Sequence, residues 1–105
     1  MTDKKIVLTT TGSQEEARKI ARALVEGRLA ACVSIIPQVE SIYRWQGKVE
    51  DAHECLLLIK TTTAAFGRVR DAISELHSYD LPECISFSVE NGGSAYLDWI
   101  SESVE

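Results

Sequence analysis

Residues 31–61, ACVSIIPQVESIYRWQGKVEDAHECLLLIKT, decide the fold. Two strand-like runs, about 31–45 and about 48–61, meet at Gln46-Gly47, where glycine can take the positive φ that a tight hairpin needs. Their length is the informative part. At about 3.3 Å per residue each run would reach more than about 45 Å, against a radius of gyration near ~13 Å for a domain of this size. The hairpin must therefore bend at Pro37, which cannot donate to a ladder, or project beyond its own core onto something else. The simplest such support is another copy of the chain. Val39, Tyr43 and Trp45 share one face by the period-two rule, and they are poor residues to leave in water.

The flanking segments complete the pattern. Residues 5–11 (KIVLTTT) are rich in β-branched side chains and read as a first strand. A helix follows from Ser13, where Ser13-Gln14-Glu15-Glu16 forms a capping box, and Ala17, Ile20, Ala21, Leu24 and Val25 make one apolar stripe. Gly27 is the expected left-handed stop. Beyond the hairpin, Phe66, Val69, Ile73 and Leu76 recur at helical spacing over about 63–76, and Pro82 keeps Leu81 out of the helical region. Residues 84–89 alternate, with Ile85, Phe87 and Val89 on one face, which predicts a half-buried strand. After Asn91-Gly92-Gly93, Ser94 can cap a last helix whose Tyr96, Leu97 and Ile100 pack inward. The order is β-α-β-β-α-β plus a terminal helix, an α+β, ferredoxin-like (split βαβ) sandwich forming one domain over residues 1–105.

Composition narrows the function. Eleven Lys and Arg against sixteen Asp and Glu give a formal charge of -5, with no basic stripe, so nucleic acid is not an expected partner. No run approaches the twenty or so apolar residues of a membrane span, and no membrane partner is expected; the chain reads as untargeted and cytoplasmic. Three widely spaced cysteines, Cys32, Cys55 and Cys84, fit neither a disulfide framework nor a zinc pattern and are expected to be reduced. A chain this short has no room for a deep cleft between lobes, so any sizeable site should be shallow or shared between subunits.

No catalytic signature is present, and no activated nucleophile, so enzymatic activity is not expected. The candidate constellation is His77 to Glu83 together with Lys60, Cys32, Tyr43 and Trp45. An imidazole, a thiol and a carboxylate could hold copper or zinc, although the spacing matches no compact metal motif. The plainer reading of His77 is a contact with the last carbonyls of the preceding helix, and of Cys32 a small buried hydrophobe. Lys60, closing the apolar run 55–59, needs an anion or water and hints at a pocket. His53, beside Glu54, reads as a solvated strand residue.

Together, Leu29-Ala30-Ala31-Cys32, Ile36-Pro37, Ser41-Ile42-Tyr43-Arg44-Trp45-Gln46-Gly47-Lys48, Leu58-Ile59-Lys60-Thr61, His77-Ser78-Tyr79 with Pro82-Glu83, and Tyr96-Leu97-Asp98-Trp99-Ile100 resemble the CutA divalent-cation tolerance family. The likeness runs from about residue 6 to 104. It implies a cytosolic homotrimer of ferredoxin-like subunits whose long hairpins pair across subunits, linked to tolerance of divalent metals, copper above all. The trimer is similar in plan to PII signalling proteins, which bind small effectors between subunits. In bacterial members with an assigned copper site the ligands are a cysteine in the first strand and two adjacent histidines. Thr9, Leu76 and His77 fall at those positions here, and only His77 is retained. The resemblance thus implies weak divalent metal binding through His77 and Glu83 at an intersubunit cleft. The alternative is a PII-like cleft for a small anionic or aromatic metabolite, with Lys60 as charge partner, Tyr43, Trp45 and Tyr79 as walls, and Cys32 nearby.

Overall fold

The computed structural model describes all residues, 1–105, in the order β1 (Lys4–Thr11), α1 (Gln14–Glu26), β2 (Cys32–Trp45), β3 (Lys48–Thr62), α2 (Phe66–Leu76), β4 (Ile85–Ser88) and α3 (Ser94–Ser103). The four strands form one antiparallel sheet in the order β2-β3-β1-β4, which is the ferredoxin-like arrangement expected from the element order. Alternate residues divide the sheet into two faces. Val7, Leu57 and Ile59 look toward the helices, where Ile20 and Leu24 of α1 and Val69 and Ile73 of α2 meet them in one fully buried core. This face holds the domain together.

The other face is not covered by α1 and α2. Register places Ile6, Leu8, Leu56 and Leu58 on it, half-buried, with Ile36, Ile85 and Phe87 at 46%, 57% and 50% exposure. The expectation for β4 is corrected here. Its apolar residues Ile85 and Phe87 point away from the core, while Cys84, just before the strand, packs against it. The strand is short, sits at the sheet edge beside β1, and its outward side chains stay about half exposed.

β2 and β3 run together from the core into an arm, and the molecule measures 44 × 25 × 22 Å with a radius of gyration of 14.1 Å. The strands do bend at Pro37. The pairs Ile36↔Leu56 and Val39↔Glu54 leave three steps of β2 against two of β3, a bulge in which Gln38 takes a φ of 58°. At the tip, Gln46 (φ 50°) and Gly47 (φ 80°) make the two-residue turn with both residues left-handed, the geometry whose twist matches the strands.

Four local expectations are corrected. Gly27 has a φ of -80° and does not make the left-handed turn; Arg28 does, at 59°. The amide of Leu29 then donates to the Leu24 carbonyl at 2.9 Å and that of Arg28 to Val25 at 3.1 Å, the paired bonds of a Schellman motif. The arginine is held in place by its own side chain, which donates to the Glu102 carbonyl at 2.7 Å. Val25 is 40% exposed rather than part of the buried stripe. At α3 the cap is Gly93 and Ser94 is already helical, with no side-chain cap. Tyr96 is 49% exposed, leaving Leu97 half-buried and Ile100 buried as the inward residues.

Candidate functional site

β1 stops at Thr11 while β3 and the arm continue, so the flank of β3 beyond that point has no strand beside it. The segment 77–83 occupies that flank. His77 ends α2, its amide donating to the Ile73 carbonyl at 2.9 Å. Its ring is buried and does not contact the helix end. Nδ1 accepts from the Tyr79 amide at 3.1 Å and must therefore be unprotonated, so Nε2 carries the hydrogen and donates to the Thr10 carbonyl at 2.7 Å. Both nitrogens are engaged. A metal on His77 would require the ring to give up one of these bonds.

Glu16 adds a third anchor. Ser13 accepts from the Glu16 amide at 3.1 Å as expected of the capping box, but the Glu16 carboxylate does not return to Ser13. It accepts instead from the Ser78 amide at 2.8 Å, tying the start of α1 to the loop.

Thus held, Tyr79 lays its ring on His77, with centroids 4.6 Å apart, and donates its hydroxyl to Oε2 of Glu54 at 2.7 Å. Gly12 leaves room for it, since a Cβ there would lie 3.3 Å from the Tyr79 oxygen. Burial and the Glu54 carboxylate together push the Tyr79 phenol well above the usual tyrosine range. Glu54 itself is 9% exposed and forms no ion pair within the chain.

Between this loop and the arm lies an open concavity of about 740 Å³. Tyr43 and Trp45 of β2, Glu50 and Glu54 of β3, and Tyr79, Asp80 and Glu83 of the loop line it, with Thr10, Ser41, Ile42, Ser78 and Leu81 between them. Register confirms that Tyr43 and Trp45 share a face with Glu50 and Glu54. None of the lining residues is Lys, Arg or His. The projecting arm thus gives the single chain an open recess of ligand size.

The residues expected to form one cleft separate into two groups. Tyr43, Trp45, Tyr79 and Glu83 line the concavity. Lys60 and Cys32 face one another across β2 and β3 at the far end of the sheet, with Lys60 Nζ donating to the Ser34 hydroxyl at 2.7 Å and lying 3.7 Å from the Cys32 sulfur. Lys60 stands six residues along β3 from Glu54, about 20 Å at ~3.3 Å per residue, so within one chain it cannot balance a ligand held by Tyr43 and Trp45. His77 lies beneath Tyr79 and does not line the cleft. Thr9 points into the core, and Leu76 packs against it. No three His, Cys, Asp or Glu side chains converge to form a metal centre. Glu50 and Glu54 went unrecognised in the sequence. The signal was their position opposite Tyr43 and Val39 once the strands are paired around the Pro37 bulge.

The family model for "CutA1 divalent ion tolerance protein" matches residues 5–103. The chain is 50% identical over 99 residues to a divalent-cation tolerance protein CutA of Thermus thermophilus, an alignment covering 94% of this chain and 96% of that one. It is 43% identical over 96 residues to protein CutA of Homo sapiens, of whose length it spans 54%. The crystal structure of CutA from Xylella fastidiosa superposes with a TM-score of 0.97 at 39% identity, covering 99% of this chain and all of that one. With nearly every residue inside the match and the fold reproduced strand for strand, the chain belongs to the CutA1 divalent ion tolerance protein family.

Proposed function

We propose that this chain works in the cytosol as a homotrimeric binding module, not an enzyme, in the response to divalent cations, and that its cleft is where cations are taken up. The observation that carries this reading is the charge of the lining: Glu50, Glu54, Asp80 and Glu83 surround the concavity with no basic residue among them. Four carboxylates facing one solvent-filled recess lower the potential there and raise the local concentration of cations. The names of the relatives, divalent-cation tolerance proteins, point the same way. The uncovered apolar sheet face, with Phe87 and Ile85 on it, supports assembly, and the trimeric plan follows from the family resemblance.

A divalent ion in this cleft would meet oxygen donors, the set that suits hard cations more than copper(I). Because no three ligands converge, it would keep part of its hydration shell and bind weakly. Titrating the protein with Mn(II), Zn(II) and Cu(II) tests this. The expected result is saturable binding that falls about tenfold or more in the Glu50→Gln, Glu83→Gln double variant and persists in His77→Gln. A wild type that takes up no metal, or carboxylate variants with unchanged isotherms, would sink the assignment.

A further inference from the structure

A hydrated metal ion uses the carboxylates of the cleft and leaves its aromatic walls idle. Tyr43, Trp45 and Tyr79 line the same concavity, each with 37–41% of its surface still open. Tyr79 packs at a tilt against His77, whereas no other ring of the chain packs on Tyr43 or Trp45. Beneath them Glu54 is nine-tenths buried. The Tyr79 hydroxyl occupies its Oε2, while Oε1 has no hydrogen-bond partner and no cation of the chain pairs with it. Oε1 is not cut off from solvent but opens onto the recess that Glu54 lines, where a cation can meet it.

Different ligand classes fare differently against this surface. An anion is repelled by four carboxylates. A neutral aromatic compound could stack but would leave Glu54 uncompensated. A metal ion compensates the charge but holds its water and gains nothing from the rings. An ammonium group bearing alkyl or aryl substituents meets both features, because its charge sits against the carboxylate and the negative faces of the aromatic rings while its carbon substituents displace water from them. The recess of about 740 Å³ has room for such a molecule.

We infer that the cleft formed by Tyr43, Trp45, Tyr79 and Glu54 binds a small organic ammonium ion, with the charge on Glu54 and the substituents against the rings. This rests on the reading that the cleft takes cations, and it adds a ligand class that a metal-only site would reject. The test is titration of the intact protein with choline, with its neutral carbon isostere 3,3-dimethylbutan-1-ol, and with Zn(II), following heat and tryptophan fluorescence. Saturable choline binding, at least about tenfold tighter than the isostere, is expected. Trp45→Leu and Tyr43→Leu, each confirmed to sediment as the wild type does, should weaken choline about tenfold and leave Zn(II) unchanged, whereas Glu54→Gln should weaken both. If Zn(II) binds but choline does not saturate, binds no better than the isostere, or is indifferent to both aromatic variants, the ammonium site is overturned and the cation cleft stands. If neither choline nor Zn(II) binds, both readings fall together.

Discussion

At the scale of single residues, two side chains carry more than their neighbours. Thr9 is fully buried on the core face of β1 and its hydroxyl has no hydrogen-bond partner. An unpaired buried hydroxyl costs about 1–3 kcal/mol, and valine has the same shape and suits a strand. Thr9→Val is expected to stabilise the fold by about 1 kcal/mol per chain in urea denaturation; a loss of stability would show that the hydroxyl has a partner after all. Tyr79 gives a dependence on pH whose sign is determined. Its proton is held more tightly in the folded chain than in the unfolded one, so its contribution is complete below the free tyrosine value near pH 10 and is lost as the pH rises through the folded value. Wild type should therefore lose more stability between pH 9 and pH 11 than Tyr79→Phe does, measured by urea midpoints, and equal losses would contradict the buried Tyr79 to Glu54 bond. The aromatic half of the cleft was legible as a period-two pattern. Glu54 was not, because its burial depends on Tyr79, which the chain brings to it only 25 residues later.

At the scale of elements, strand and helix order could be read from hydrophobic period alone, because each core element presents one face to the same interior. The failures lie where a side chain or a neighbouring element overrides a local rule. Arg28 takes the left-handed position that the preceding glycine seemed made for, held by its bond to the Glu102 carbonyl, 74 residues away. Glu16 leaves its own helix cap for the Ser78 amide. The apolar side chains of β4 sit on the sheet face opposite the one that α1 and α2 cover. The arm is the element most dependent on local chemistry, since it has no core behind it and both of its turn residues have positive φ. Gly47→Val places a branched side chain at a φ of 80° and should cost about 1–2 kcal/mol within the arm alone. Hydrogen exchange should then show faster amides over 42–50 and unchanged ones in β1; uniform loss of protection would mean that arm and core unfold as one unit.

At the scale of the whole molecule, one sheet face holds the subunit together and the other keeps apolar side chains half exposed. Phe87, Ile85 and Ile36 are each about half exposed on the open face, and fully burying such a side chain contributes about 1.5–3 kcal/mol. Phe87→Lys should shift the proposed trimer toward single chains in sedimentation equilibrium, and an assembly of unchanged mass would place the interface elsewhere. The open face and the cleft are also joined by the bulge at Pro37 and Gln38. Up to Ile36 the even-numbered residues of β2 look onto that face, and from Val39 onward the odd-numbered ones do. One supernumerary residue has advanced the phase of the strand by half a repeat. Had the register that pairs Ile36 with Leu56 run on without it, Ile42 would stand opposite Glu50 and Arg44 opposite Lys48, with three residues left for the turn, and an arginine would neutralise the acid recess from within. The character of the cleft is in this sense a matter of counting, set by a single insertion some five to seven residues away from the aromatic side chains it orients.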